Sequence, residues 1–134
     1  MPTSKITYLG ELRTTCIHLQ SGNEIITDAP TDNHGKGEAF SPTDLVATAL
    51  GSCMVSIMAI KTKDLDVDLK DSTILVTKIM QAEPRKIAKI IVELNMAIAT
   101  SDKNKTILER AAMTCPVLLS LHPDIEKEVT FNWK

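Results

Sequence analysis

The segment that starts at Ser41 constrains this chain more than any other. Ser41-Pro42-Thr43-Asp44 reads as a helix start, with serine at the N-cap and proline at the first helical position, where its missing N–H costs nothing. Asp44, three residues after the cap, is placed to bond back to it. From there the pattern predicts a helix to about residue 63. Apolar residues occur on nearly every side of it, so it is expected at the centre of the molecule. One stripe differs. Ala49, Ser52, Cys53 and Ser56 follow the i, i+3, i+4, i+7 spacing, so one face carries only small side chains. Such a face either admits another backbone closely or leaves room beside the thiol. The most apolar part, residues 45–60, is shorter than the roughly 20 residues a bilayer requires and contains Thr48, Gly51, Ser52 and Ser56. It is therefore expected as a buried helix and not as a membrane span.

The flanking sequence reads as α+β. Residues 5–28 form a three-strand meander with turns at Gly10-Glu11 and Ser21-Gly22-Asn23. In the middle strand Arg13, Thr15, Ile17 and Leu19 share one face, while Leu12, Thr14, Cys16 and His18 share the other. Residues 29–40, APTDNHGKGEAF, read as a long loop that could border a pocket. After the helix come two strands, residues 73–80 and 87–99, joined around Glu83-Pro84-Arg85. In the second, Ile90, Val92, Leu94 and Met96 alternate with polar residues, as in a strand with one buried face. A second helix is expected over residues 102–114. Cys115-Pro116 then starts a short one ending near His122-Pro123, with Cys115 as its N-cap, and residues 129–133 form a last strand. A length of 134 residues and a 43% hydrophobic content suit one domain, residues 1–134.

A net charge of −2, with both signs interspersed, gives no field that draws a protein to phosphate backbones, so nucleic acid is not expected as a partner. The N-terminus MPTSKITYLG lacks the apolar stretch of a secretory signal, which favours a cytoplasmic, reducing location. Three cysteines with no C-x-x-C spacing fit neither a disulfide framework nor a zinc site, and no metal or cofactor is expected. The thiols are then either inert packing or redox chemistry. A reactive cysteine needs a helix N-terminus, a cation or a base to lower its pKa from about 8.5. Cys115 meets the first condition if the short helix exists. Cys53 lies in mid-helix and needs a cation, for which Arg13 is the best candidate in the N-terminal sheet. Glu38 either orients Arg13 or is a solvated loop charge. Cys16 has no activating neighbour in sequence, and no role is assigned to it.

The stretch FSPTDLVATALGSCM, together with AAMTCPVLLSLHP, resembles the two cysteine motifs of the OsmC/Ohr family. LQSGNEIITDAP, the glycine-containing loop, the hairpin around EPRKI and the terminal VTFNW extend the resemblance over essentially the whole chain. It implies an α+β OsmC-like fold, with curved antiparallel sheets around a long central helix in an intertwined homodimer. It also implies a thiol peroxidase that reduces organic hydroperoxides, with Cys53 as the attacking cysteine, Cys115 as the resolving one and Arg13 as the catalytic arginine. The reductant would be an external dithiol. One departure stands out. The glutamate that pairs with the arginine in the well-studied peroxidases is matched here by Thr43, with Asp44 beside it, so that SPTDL resembles a less characterised branch. Asp44 could take the acidic role unless it is occupied as a cap. Two rivals remain: a dimer that binds a small ligand without catalysis, and a reductase of small disulfides.

Overall fold

A computed structural model describes all 134 residues. They divide into two compact units, Met1–Val46 and Ala47–Lys134. The division falls inside the long helix.

The first unit is built on a sheet of three antiparallel strands in the order β1-β2-β3: β1 (Ser4–Gly10), β2 (Arg13–His18) and β3 (Glu24–Asp28). The expected meander is present, with positive φ at Gly10, Glu11 and Leu12 in the first turn and at Gly22 in the second. Register places Arg13 opposite Asp28, Thr15 opposite Ile26, and Cys16 between Ile6 and Ile25. Arg13 and Cys16 therefore lie on opposite faces. In the loop that follows, one 3-10 turn forms at Thr31–Asn33, and Gly37 N–H bonds back to the Ala29 carbonyl at 3.2 Å. Helix α1 (Pro42–Lys61) then opens as its sequence dictates. Ser41 Oγ accepts the Asp44 N–H at 3.0 Å, and Asp44 Oδ2 accepts the Ser41 N–H at 3.0 Å, which closes a reciprocal capping box.

The second unit holds the body of α1, the strands β4 (Thr73–Gln81), β5 (Lys86–Asn95) and β6 (Glu126–Asn132), and the helices α2 (Asp102–Ala112) and α3 (Pro116–Ser120). Strand β5 is central, antiparallel to β4 and parallel to β6. A parallel neighbour requires a crossover, and α2 with α3 supplies it. The alternation read in β5 is realised. Ile90, Val92, Leu94 and, just past the strand, Met96 are buried together with Leu50, Met54 and Met58 of α1, Leu108 and Ala112 of α2, and Cys115.

Several boundaries differ from those expected. Helix α1 gives way at Thr62–Asp64 to a 3-10 turn, where Thr62 Oγ1 donates to the Ala59 carbonyl at 2.6 Å. Strand β5 ends at Asn95, because the Ala97 N–H turns to Ser72 Oγ at 2.9 Å instead of continuing the ladder. Helix α2 stops at Ala112, where Thr114 N–H and Oγ1 both bond the Ala111 carbonyl. The expectation that α1 is a buried helix at the centre of the molecule is met on one face only. Within one chain it buries only the stripe Ala47, Leu50, Gly51, Met54 and Met58, and it leaves Val46 40% and Ile60 61% exposed. The span Pro42–Asp64 is long and apolar enough to cross a bilayer by length and composition, although its buried stripe is spent on the second sheet.

That packing depends on Gly51. A Cβ there would lie 2.7 Å from Val76 Cγ2 and 3.0 Å from Ile74 Cγ2, both methyls of β-branched side chains with little rotameric freedom. Gly51→Ala gains helix propensity worth about 1 kcal/mol but overpacks the helix–sheet contact by about 1–3 kcal/mol. A lowered urea midpoint is the expected outcome. A raised one would show that the sheet yields freely at this point.

Candidate functional site

The second unit brings two of the sequence-predicted residues together. Cys53 sits in mid-helix on α1, half-buried and packed against the core. Cys115 is the N-cap of α3, with Pro116 at the first helical position, and its sulfur accepts the Leu118 N–H at 3.4 Å. The Cys115 thiol is fully buried, and Cys53 is near enough to influence its protonation. Both are free, so this is the dithiol form.

The short helix expected after Cys115 exists with that residue as its N-cap, but its start does not activate the thiol. Burial pushes its thiol above the ordinary pKa, and the neighbouring Cys53 adds to the rise. The Leu118 N–H opposes this without reversing it. The physical reason is that α3 has only five residues, so the stabilisation a helix N-terminus can offer is small beside the cost of an anion in the core.

Arg13 belongs to the first unit, at the start of β2. Its guanidinium forms a two-pronged ion pair with Asp28, Nε to Oδ1 at 2.7 Å and Nη2 to Oδ2 at 2.8 Å. Glu38 Oε1 accepts a further bond from Nη2 at 3.3 Å, so the loop carboxylate does meet Arg13 while staying largely exposed. Asp28 is the residue that the sequence reading missed. It is fully buried, accepts the Glu38 N–H at 3.1 Å, and is held below the usual carboxylate range by the Arg13 bonds first and then by that N–H, against the effect of burial. In turn Asp28 keeps Arg13 firmly protonated. A usable signal was present. A hairpin that folds back between residues 20 and 21 sets Arg13 opposite Asp28, and opposite charges in such a position attract.

Asp44 is engaged in the capping box, and Thr43 Oγ1 lies 3.2 Å from Ser41 Oγ in the same turn. Cys16, on the other face of the sheet, has the Thr14 hydroxyl 3.7 Å away. No group of three His, Cys, Asp or Glu side chains is gathered as metal ligands.

Two open grooves lie near these residues, one in each unit. In the first unit a groove of about 750 Å³ is lined by Thr15, Ile26, Phe40 and the acidic residues Glu24, Glu38 and Asp44. In the second unit a groove of about 560 Å³ is lined by Ile57, Ile60 and Lys61 of α1 and by Ile107, Arg110, Ala111 and Thr114. Ile57 and Ile60 follow Cys53 at i+4 and i+7, so the apolar wall continues the helix face that carries the thiol.

An α+β chain with two three-stranded sheets, a long apolar helix and a buried thiol beside a half-buried one defines a narrow structural class. Residues 35–130 match the family model described as OsmC-like protein. The chain belongs to this family. A solved structure from Psychrobacter arcticus 273-4, named for osmotic stress induction and a detoxification response, is 53% identical. The match covers 98% of this chain and 96% of that one, with a TM-score of 0.94. A Legionella pneumophila protein named organic hydroperoxide resistance protein OsmC is 14% identical over 98% of both chains, with a TM-score of 0.75. A Vibrio cholerae protein named for organic hydroperoxide resistance, with captopril in one of its active sites, is 16% identical. That match covers 98% of this chain and 92% of the other, with a TM-score of 0.74. No match is found among curated proteins. At such low identity the last two likenesses concern the fold alone.

The raised pKa of Cys115 has a direct consequence. In the reduced protein its alkylation by iodoacetamide should be slow at pH 7 and should keep accelerating above about pH 8.5, the ordinary thiol value, because the thiolate forms only there. Peptide-resolved labelling checks this. Rapid, pH-independent labelling at neutral pH would contradict it.

Proposed function

We propose that this chain is a thiol-dependent peroxidase of organic hydroperoxides, with a role in oxidative stress defence. The observation that carries the reading is the Cys115 thiol held beside Cys53 in one unit, each free and far apart in sequence. A thiol kept protonated by burial is a poor first nucleophile, which supports Cys53 as the attacking residue and Cys115 as the second to react. Membership of the OsmC-like family agrees, as do structural relatives that carry the name of organic hydroperoxide resistance.

In this reading the Cys53 thiolate attacks the outer oxygen of the hydroperoxide. The O–O bond breaks, and the alkoxide leaves and takes a proton to become the alcohol. Cys53 is oxidised to a sulfenic acid. The Cys115 sulfur then displaces hydroxide from it, water is released, and a Cys53–Cys115 disulfide remains. An external dithiol reduces that disulfide by exchange and is itself oxidised to a disulfide. Arg13 supplies hydrogen-bond donors to the departing oxygen, and the chemistry calls on no metal, flavin or nucleotide. The apolar groove beyond Cys53 favours peroxides with a hydrocarbon portion, since burying that portion is favourable. The working form is a homodimer, a reading supported by large apolar side chains at the surface of one chain: Ile6 and Tyr8 in β1, Ile25 and Ile26 in β3, Ile60 in α1 and Leu75 in β4. The proposed location is the cytoplasm.

The test is to mix reduced protein with cumene hydroperoxide and titrate free thiols. Two should disappear per chain, none in Cys53→Ser, and Cys115→Ser should react once and then over-oxidise. Unchanged thiols at millimolar peroxide would favour a ligand-binding dimer. Turnover of a small disulfide under the same conditions would favour the reductase.

A further inference from the structure

Asp28 has no part in the thiol chemistry above, yet it is a fully buried carboxylate with both oxygens aimed at one arginine. A guanidinium carries five N–H donors: one on Nε and two on each terminal nitrogen. Asp28 takes the Nε donor and one from Nη2, and Glu38 takes the other from Nη2. Only the two donors on Nη1 remain. The fork geometry fixes the plane of the group as well as its position, since two parallel bonds to a rigid carboxylate leave it no rotation about a single contact. The carboxylate is itself anchored, because Oδ2 also accepts the Glu38 N–H and the Asp28 N–H bonds the Phe40 carbonyl at 3.1 Å. The same loop segment therefore holds both acids.

Charge adds a second consequence. Two carboxylates face one guanidinium, and Lys36, whose charge also acts on Asp28, is paired with Glu11 at 2.8 Å. Arg13 is thus largely neutralised in its surroundings. What it can offer a substrate is an aimed pair of hydrogens and not a broad positive field.

We propose that Asp28 is the positioning residue of Arg13, holding its Nε–Nη2 edge so that the two Nη1 hydrogens meet the oxygen that departs with negative charge. This rests on the peroxidase reading and extends it with a residue and an orientation. Removing the negative charge while keeping the shape, as in Asp28→Asn, loosens the fork and lets the guanidinium rotate. A misdirected donor is costly in a reaction that depends on alignment.

The experiment follows the pseudo-first-order loss of thiols with cumene hydroperoxide in the wild type, Asp28→Asn, Arg13→Ala and the double variant, with thermal unfolding as a check on folding. Asp28→Asn should slow the reaction by about tenfold or more. It should cost little further in the Arg13→Ala background, because a positioning residue has nothing left to position. Guanidinium chloride, added at a non-denaturing concentration, should partly restore Arg13→Ala and should fail to restore the double variant. A purely structural carboxylate would not produce that difference. If Asp28→Asn does not fold, Asp28→Glu replaces it, since it keeps the charge and displaces the fork by one methylene: a loss of about tenfold supports the proposal and a rate within twofold of wild type overturns it. A rate for folded Asp28→Asn within twofold of wild type overturns the role of Asp28 and leaves the peroxidase reading intact. If wild-type thiols survive peroxide, that reading fails and this proposal falls with it.

Discussion

Where α1 crosses the second sheet, Gly51 puts no side chain between the helix backbone and the methyls of Val76 and Ile74. The helix can therefore seat Leu50, Met54 and Met58 against Ile90, Val92 and Leu94 in a single layer. Cys53 follows two residues after Gly51, about 200° further round the helix, so it turns away from the sheet contact. There it meets Cys115, whose own position is fixed by the end of α2 and by Pro116. Two sulfurs separated by most of the second unit's sequence are brought to one place by a contact that neither of them makes.

The two halves of the candidate chemistry are prepared by opposite electrostatic means. Around Cys115, burial disfavours charge and keeps the thiol protonated. Around Arg13, charge is buried and paid for by close pairing, with Asp28 shielded from water and Glu38 at the rim. In the proposed cycle, a protonated second thiol beside a half-buried first one would give an order to the sulfur steps. A clamped guanidinium gives direction to a donor.

Much of this was legible in the sequence because it is written in local spacing. The capping box at Ser41 and Asp44, the three-strand meander, the alternation of β5 and the N-cap at Cys115 all depend on residues within one turn or one hairpin of each other. The parallel pairing of β6 with β5 was not legible, because no local pattern records which strand edge the chain returns to after a crossover. The ends of β5 and α2 were overread, since Ser72 and Thr114 divert backbone groups that the apolar pattern assigned to regular structure. Asp28 escaped notice for a different reason. An aspartate at the end of a strand reads as a solvated turn residue until the register places it opposite Arg13. The exposure of one side of α1 shows the converse: apolar residues all round a helix state that it wants cover, without stating that a single chain provides it.

The most direct measurement is peptide mapping by mass spectrometry, under non-reducing conditions, of protein treated with one equivalent of an organic hydroperoxide. A linked pair of peptides containing Cys53 and Cys115 is expected, with Cys16 recovered as a free thiol. Oxidation centred on Cys16, or a Cys53 sulfenate that never joins Cys115, would contradict the proposed cycle.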